Sequence, residues 1–162
     1  MIVPAGRRSF LKHFVRNENG SVLIEVLITA PVLLFFTIGI LEFGNIFWQR
    51  HQLATGVRDA ARYWSRCQVA GFTSSCSPDI ARNIAFYGNP AGTGGLRVPG
   101  WNTAAELVLT PATRAALPSS SGGYSEVRAA GNVDYQPSPL LGMLEIGTIN
   151  LSYTHVERYI GW

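Results

Sequence analysis

The chain has 162 residues, of which 47% are apolar and only 14% charged, with 13 Lys and Arg against 10 Asp and Glu. Soluble domains carry about 25% charged residues, so a disordered or collagen-like chain is excluded and a long segment that avoids water is expected. The net charge of +3 belongs to the first twenty residues, where Arg7, Arg8, Lys12 and Arg16 face Glu18, and the rest of the chain is balanced. A nucleic-acid-binding domain keeps its positive charge in the folded part, so nucleic acid is not an expected partner.

Residues 1–20 read as a hydrophilic, basic leader. Arg7-Arg8-Ser9-Phe10-Leu11-Lys12 matches a twin-arginine export motif by its letters. That signal is followed closely by a moderately apolar segment with a small-residue cleavage site. Here Arg16 and Glu18 intervene, and the apolar segment is long and strongly hydrophobic.

From Val22 to Leu41 the only charge is Glu25. About 20 apolar residues suffice for a helix to cross a bilayer. A single transmembrane helix is therefore predicted over 21–48, since Phe43, Ile46, Phe47 and Trp48 extend the run and an indole suits the membrane interface. A buried core helix, the other reading of such a run, would need a larger domain around it than the remaining residues supply. Pro31 lacks an amide donor and strips the Leu27 carbonyl of its helical partner, which predicts a kink or local loosening. That bend is either tolerated in lipid or a place where neighbouring subunits pack. Glu42 has two readings as well: a carboxylate resting at the outer interface, or one in an intersubunit ion pair, for which Arg50 or a partner's Arg are the candidates.

The helix is predicted to continue as a stalk over 49–66, where only Gly56 interrupts the good helix formers. Leu53, Val57, Ala60, Ala61 and Trp64 recur at helical spacing. Arg58, Arg62 and Arg66 form a row on another side, expected to face solvent or a partner rather than lipid or DNA. A helix over 21–66 would be about 69 Å long.

Residues 67–162 read as a small α+β head. Ser77-Pro78-Asp79 is an N-cap, a first-turn proline and a first-turn acid; Ile80, Ile84 and Tyr87 share one side, and Gly88 is the stop. Gly- and Pro-rich loops follow at 89–100 and 118–124. Strands are predicted at Glu106–Thr110, Ser125–Gln136 and Thr148–Ile160, the second alternating Val127, Ala129, Val133 and Tyr135 with polar residues. An antiparallel sheet with one covered face results, and the stalk's Leu53, Val57 and Trp64 are its natural cover.

Catalytic constellations are not found. His13, His51 and His155 are far apart and lack metal-ligand spacing, so no metal or other cofactor is expected. Ser119–Ser121 and Gly92–Gly95 lack the contexts of a nucleophile elbow or a phosphate loop. An enzyme is accordingly the least favoured class.

The functional motif lies where the leader meets the apolar run. A basic stretch ends in Gly20, Ser21 follows, and Glu25 sits inside otherwise pure hydrocarbon, where an isolated carboxylate is costly. This arrangement resembles a type IV prepilin signal. More specifically, residues 20–66 resemble the TadE-like family, small pseudopilins of the bacterial Tad (Flp) pilus. The resemblance rests on Gly20-Ser21 with Glu25, on Pro31, on Glu42-Phe43-Gly44 and on Ala60-Ala61-Arg62, with a weaker pattern from Val133-Asp134-Tyr135 through Leu144. Ile24-Glu25-Val26-Leu27-Ile28 is more β-branched than the Ala-rich form of that segment.

The resemblance implies a minor, non-catalytic component of a pilus-like assembly, cut after Gly20 by a prepilin peptidase. Glu25 would pair with the new amine of Ser21 or of a neighbouring subunit, and Glu25, Pro31 and Glu42 would be assembly residues. The expected partners are the peptidase, other pilins or pseudopilins of the same system, and inner-membrane lipid. The head would stand in the periplasm, where Cys67 and Cys76 are expected to be bonded, worth roughly 2 to 3 kcal/mol; a reactive thiol pair is the other reading. Leader-in-cytoplasm topology follows from the processing motif, because Arg50, Arg58, Arg62 and Arg66 balance the leader's basic residues. The competing class is an unprocessed, signal-anchored periplasmic binding or adhesion module.

Overall fold

A computed structural model describes residues 19–68, 76–113, 117, 126–138 and 148–160, with the backbone alone at Asn19 and Ser21. The leader up to residue 18, the loop at 118–124 with Ser119–Ser121, and most of the 137–144 pattern lie outside the described residues. The elements in chain order are helix α1 (Asn19–Ser65), helix α2 (Pro78–Tyr87), a 3-10 turn (Ala104–Glu106), and strands β1 (Leu107–Thr110), β2 (Glu126–Asp134) and β3 (Asn150–Arg158). The chain divides into two units between Leu41 and Glu42.

The described part of the first unit is helical throughout. Helical geometry continues through Pro31 without a break. Its large apolar side chains are exposed, Leu27, Phe35 and Ile40 each by about two-thirds. The Thr37 hydroxyl donates to the Leu33 carbonyl at 2.8 Å, a partner within its own helix that water need not supply. Among the described residues α1 is long and apolar enough to cross a membrane.

The second unit, from Glu42 onward, is an α+β head in which the later turns of α1 cover a three-stranded antiparallel sheet of order β1-β2-β3. Leu107 to Thr110 pair with Gly131 to Arg128, and Glu126 to Asp134 pair with Arg158 to Asn150. Val127, Ala129, Gly131 and Val133 alternate inward on β2, as period-two patterning requires of a sheet with one covered face. Leu53, Val57, Ala60, Ala61 and Trp64 are all fully buried in one core with Leu107, Leu109, Val127, Ala129 and Trp101. The stripe of the stalk does cover the sheet.

Two glycines set how closely these layers approach. A Cβ on Gly131 would lie 2.5 Å from Val57 Cγ2 and 3.2 Å from Leu53 Cδ1, and one on Gly56 would lie 2.5 Å from the Ala85 carbonyl oxygen. Glycine in a helix interior costs about 1 kcal/mol relative to alanine, so Gly56 trades helix propensity for contact between α1 and α2.

Helix α2 begins as expected. Ser77 caps it by accepting from the Asp79 amide at 3.2 Å, and Gly88 ends it in the left-handed region at φ 78°. The Cys67–Cys76 disulfide is formed, with Cα atoms 5.7 Å apart. It ties the end of α1 to the start of α2. The strand boundaries differ slightly from expectation: Glu106 belongs to the 3-10 turn, and Tyr135 and Gln136 lie past the end of β2. The Tyr135 amide still donates to the Ile149 carbonyl at 2.8 Å.

Candidate functional site

Gly20 lies one residue inside the start of α1. It is exposed, and a Cβ placed there would meet nothing within 4 Å. Among the described residues nothing makes a steric demand for glycine at this position. Ser21 follows in the same helical turn, its side chain outside the described residues. Glu25 is one turn beyond Ser21 on α1 and is exposed, as is Pro31. These residues share one helix, and their spacing along it is the only relation among them that the fold supplies.

Glu42 is held by donors within its own chain. It is 5% exposed. Its carboxylate accepts the hydroxyl of Tyr135 and the amide of Ser138, the latter at 3.0 Å. One helical step onward, the Asn45 amide donates to the Tyr135 oxygen at 2.9 Å. Gln49, 1% exposed, donates to the Gln136 carbonyl at 3.1 Å, while its own Oε1 is buried without a hydrogen-bond partner. A buried carboxylate is tolerable only when several donors satisfy it. The segment leaving β2 provides them.

Tyr135 pays for this arrangement in acidity. Burial, then the hydrogen bond it donates to Glu42 and the negative charge there, push its phenol up to about 12. It stays a neutral donor throughout the ordinary pH range.

This polar layer was missed by sequence reasoning, although a signal exists. Glu42, Asn45 and Gln49 stand at i, i+3 and i+7, and Leu53 and Val57 continue the same face. A polar stripe that runs into a core stripe has to be covered by polar partners. Which partners they are depends on where the end of β2 falls, and that is a tertiary fact.

The arginine row is partly engaged within the head. Arg58 Nε donates to the Tyr153 hydroxyl at 3.0 Å with its guanidinium 5.2 Å from that ring's centre. Arg62 Nε is 3.5 Å from Glu157 Oε1. Both reach β3, so the row helps to dock α1 against the sheet's edge strand. Exposed pairs of this kind are worth about 0–1 kcal/mol, so they orient the strand more than they stabilise it. Among the described residues no group of three or more His, Cys, Asp and Glu could hold a metal ion.

Residues 20–62 match the family model described as TadE-like protein. The match begins at Gly20, spans Glu25, Pro31 and Glu42, and stops on α1 before any strand of the head. It supports a component associated with a Tad pilus system. No curated protein and no solved structure matches the chain.

Proposed function

We propose, from the match of residues 20–62 to the TadE-like family, that this protein is a minor pseudopilin of a Tad (Flp) pilus. It is synthesised with a basic leader in the cytoplasm and cut after Gly20 by a prepilin peptidase. The early turns of α1 hold it in the inner membrane, the head stands in the periplasm, and its role is structural rather than catalytic. Its partners are the peptidase, sibling pilins or pseudopilins, and lipid.

The observation that carries this reading is the coincidence at the start of α1. The family match opens on the glycine that ends the basic leader, the helix is already formed there, and one carboxylate, Glu25, interrupts the apolar exterior one turn later. Cutting after Gly20 creates an ammonium on Ser21 within helical reach of Glu25. An i, i+4 pair of opposite charges is favourable, and more so where lipid replaces water. The new amine, or that of a neighbouring subunit, turns a costly group into a contact that assembly can use.

Mass analysis of the chain recovered from its native host tests this directly. A mature protein beginning at Ser21, with full-length material accumulating when Gly20 is replaced, is expected. An intact N-terminus would favour the signal-anchored binding module instead.

A further inference from the structure

We infer that the free edge of β3 pairs with β3 of a second copy of this chain, antiparallel and about a two-fold axis at Thr154, so that two heads share one continuous sheet. The pairing lies wholly within the head, goes beyond the proposed function and does not depend on cutting after Gly20.

The three-stranded sheet has two edges, and the chain treats them differently. On one side β1 is four residues long and is followed at once by Pro111, and shortness and proline both keep a strand edge from recruiting another. On the other side β3 runs for nine residues, Asn150–Arg158, without a proline or a glycine. The Tyr135 amide donates to the Ile149 carbonyl in the same register that joins β2 to β3. An antiparallel ladder bonds alternate residues. Leu151, Tyr153, His155 and Glu157 therefore turn their backbone groups toward β2, while Ser152, Thr154 and Val156 turn theirs away from it. Beyond them the Ile160 amide donates to the Ser65 carbonyl of α1 at 3.0 Å, which closes that end of the edge. Among the described residues nothing bonds the outward amides and carbonyls of Ser152, Thr154 and Val156, and all three residues are exposed.

A second copy is selected as the occupant by what each side chain would face. About an axis at Thr154 all nine residues pair. Thr154 meets Thr154, Ser152 meets Val156 and Asn150 meets Arg158 on the uncovered face, and no like charges stand opposite. Within one chain Glu126 lies across from Arg158, and Asn150 donates to Asp134 at 3.0 Å. Each end of the joint would then read Glu126 and Arg158, followed by Asn150 and Asp134 of the second copy, a cation in a row with two acids. On the face toward α1, Tyr153 would stand opposite His155 of the second copy. These two rings are already nearly parallel within one strand, 12° apart, and the axis extends them into a ladder of four. Hydroxyl, aromatic and opposite-charge pairs are the ones that stabilise a cross-strand contact, the new backbone bonds supply affinity, and a self-complementary patch is what a two-fold dimer requires.

The test cross-links the full chain in detergent micelles with a short bifunctional maleimide, which spares the Cys67–Cys76 disulfide. Thr154→Cys, at the axis, should give a covalent dimer, whereas Val108→Cys, exposed on β1 across the sheet, should stay monomeric. Val156→Pro in the Thr154→Cys chain deletes an amide that points away from β2, a change that an edge strand tolerates. It removes two bonds across the axis, and the dimer yield should fall about tenfold. Val156→Thr keeps the amide and should keep the yield. Equal yields from the cysteines at 154 and 108 would mean that the uncovered faces stack on one another, which overturns edge pairing whether or not Val156→Pro folds. A Thr154→Cys chain that stays monomeric at every protein-to-detergent ratio, or a dimer undiminished by Val156→Pro, would overturn it too.

Discussion

The carboxylate of Glu42 and the hydroxyl of Tyr135, 93 residues apart in sequence, share a buried hydrogen bond at the point where α1 first meets the head. Glu42 accepts there from Tyr135 and Ser138, and Asn45 donates to the Tyr135 oxygen. Further along the same helix, Leu53, Val57 and Trp64 are buried in the core of the head.

Tyr135→Phe removes one of the carboxylate's donors and leaves a buried charge short of a partner. A hydrogen bond to a charged group is worth about 1.5–3 kcal/mol, so the variant should unfold about 2 kcal/mol more easily in urea, in detergent micelles. Glu42→Gln should cost less, because a neutral amide needs less solvation. An equal or smaller loss in Tyr135→Phe would remove the carboxylate from this account.

The raised phenol of Tyr135 makes a pH prediction of definite sign. Its folded value of about 12 lies above the ordinary 10.0, so the folded state favours the proton-bound form. That contribution to stability is fully present below pH 10.0 and is lost as pH rises through about 12. Unfolding midpoints should fall over that window in the wild type and less so in Tyr135→Phe. Phenolate absorbance should show a late-titrating component that is lost in Tyr135→Phe.

Gly131→Ala should destabilise the head although it adds only a methyl group. The new carbon would stand 2.5 Å from Val57 Cγ2, and overpacking of this kind costs about 1–3 kcal/mol. A second substitution, Val57→Ala, makes room and should recover part of that loss in a double-mutant cycle. Additive losses would show that the two residues do not meet.

Reduction of Cys67–Cys76, or replacement of both by Ser, frees the loop between α1 and α2. The closure is short, and the expected loss is about 2–3 kcal/mol on the chain-entropy model. Thermal unfolding with and without reductant measures it. The double-serine protein should be insensitive to reductant.

On the proposed function, Glu25→Ala should leave cutting after Gly20 intact yet reduce incorporation into pili, since it removes the group proposed to pair with the Ser21 amine and spares the proposed cleavage site. The mass of the mature chain and its recovery in sheared pilus fractions separate the two effects. Normal incorporation would exclude the pairing.

Much of this architecture could be read locally. The apolar run from Val22, the stripe of Leu53, Val57 and Trp64, the Ser77 cap and the alternation in β2 each depend on a periodicity or on one residue's own chemistry. Glu42 was legible only as a charge in an apolar context. Its donors, Tyr135 and Ser138, lie 93 and 96 residues further along, beyond the reach of any local pattern.

The sequence by itself determined the elements and their faces, because helix and strand periods, caps and glycine stops act over a few residues. The tertiary structure alone decided that Tyr135 and Ser138 satisfy Glu42, that Gly131 admits Val57, and that Arg58 and Arg62 reach β3. Those contacts join positions tens of residues apart. Which groups meet depends on sheet register and on the closest approach of helix to strand, and no local pattern of residue types encodes either.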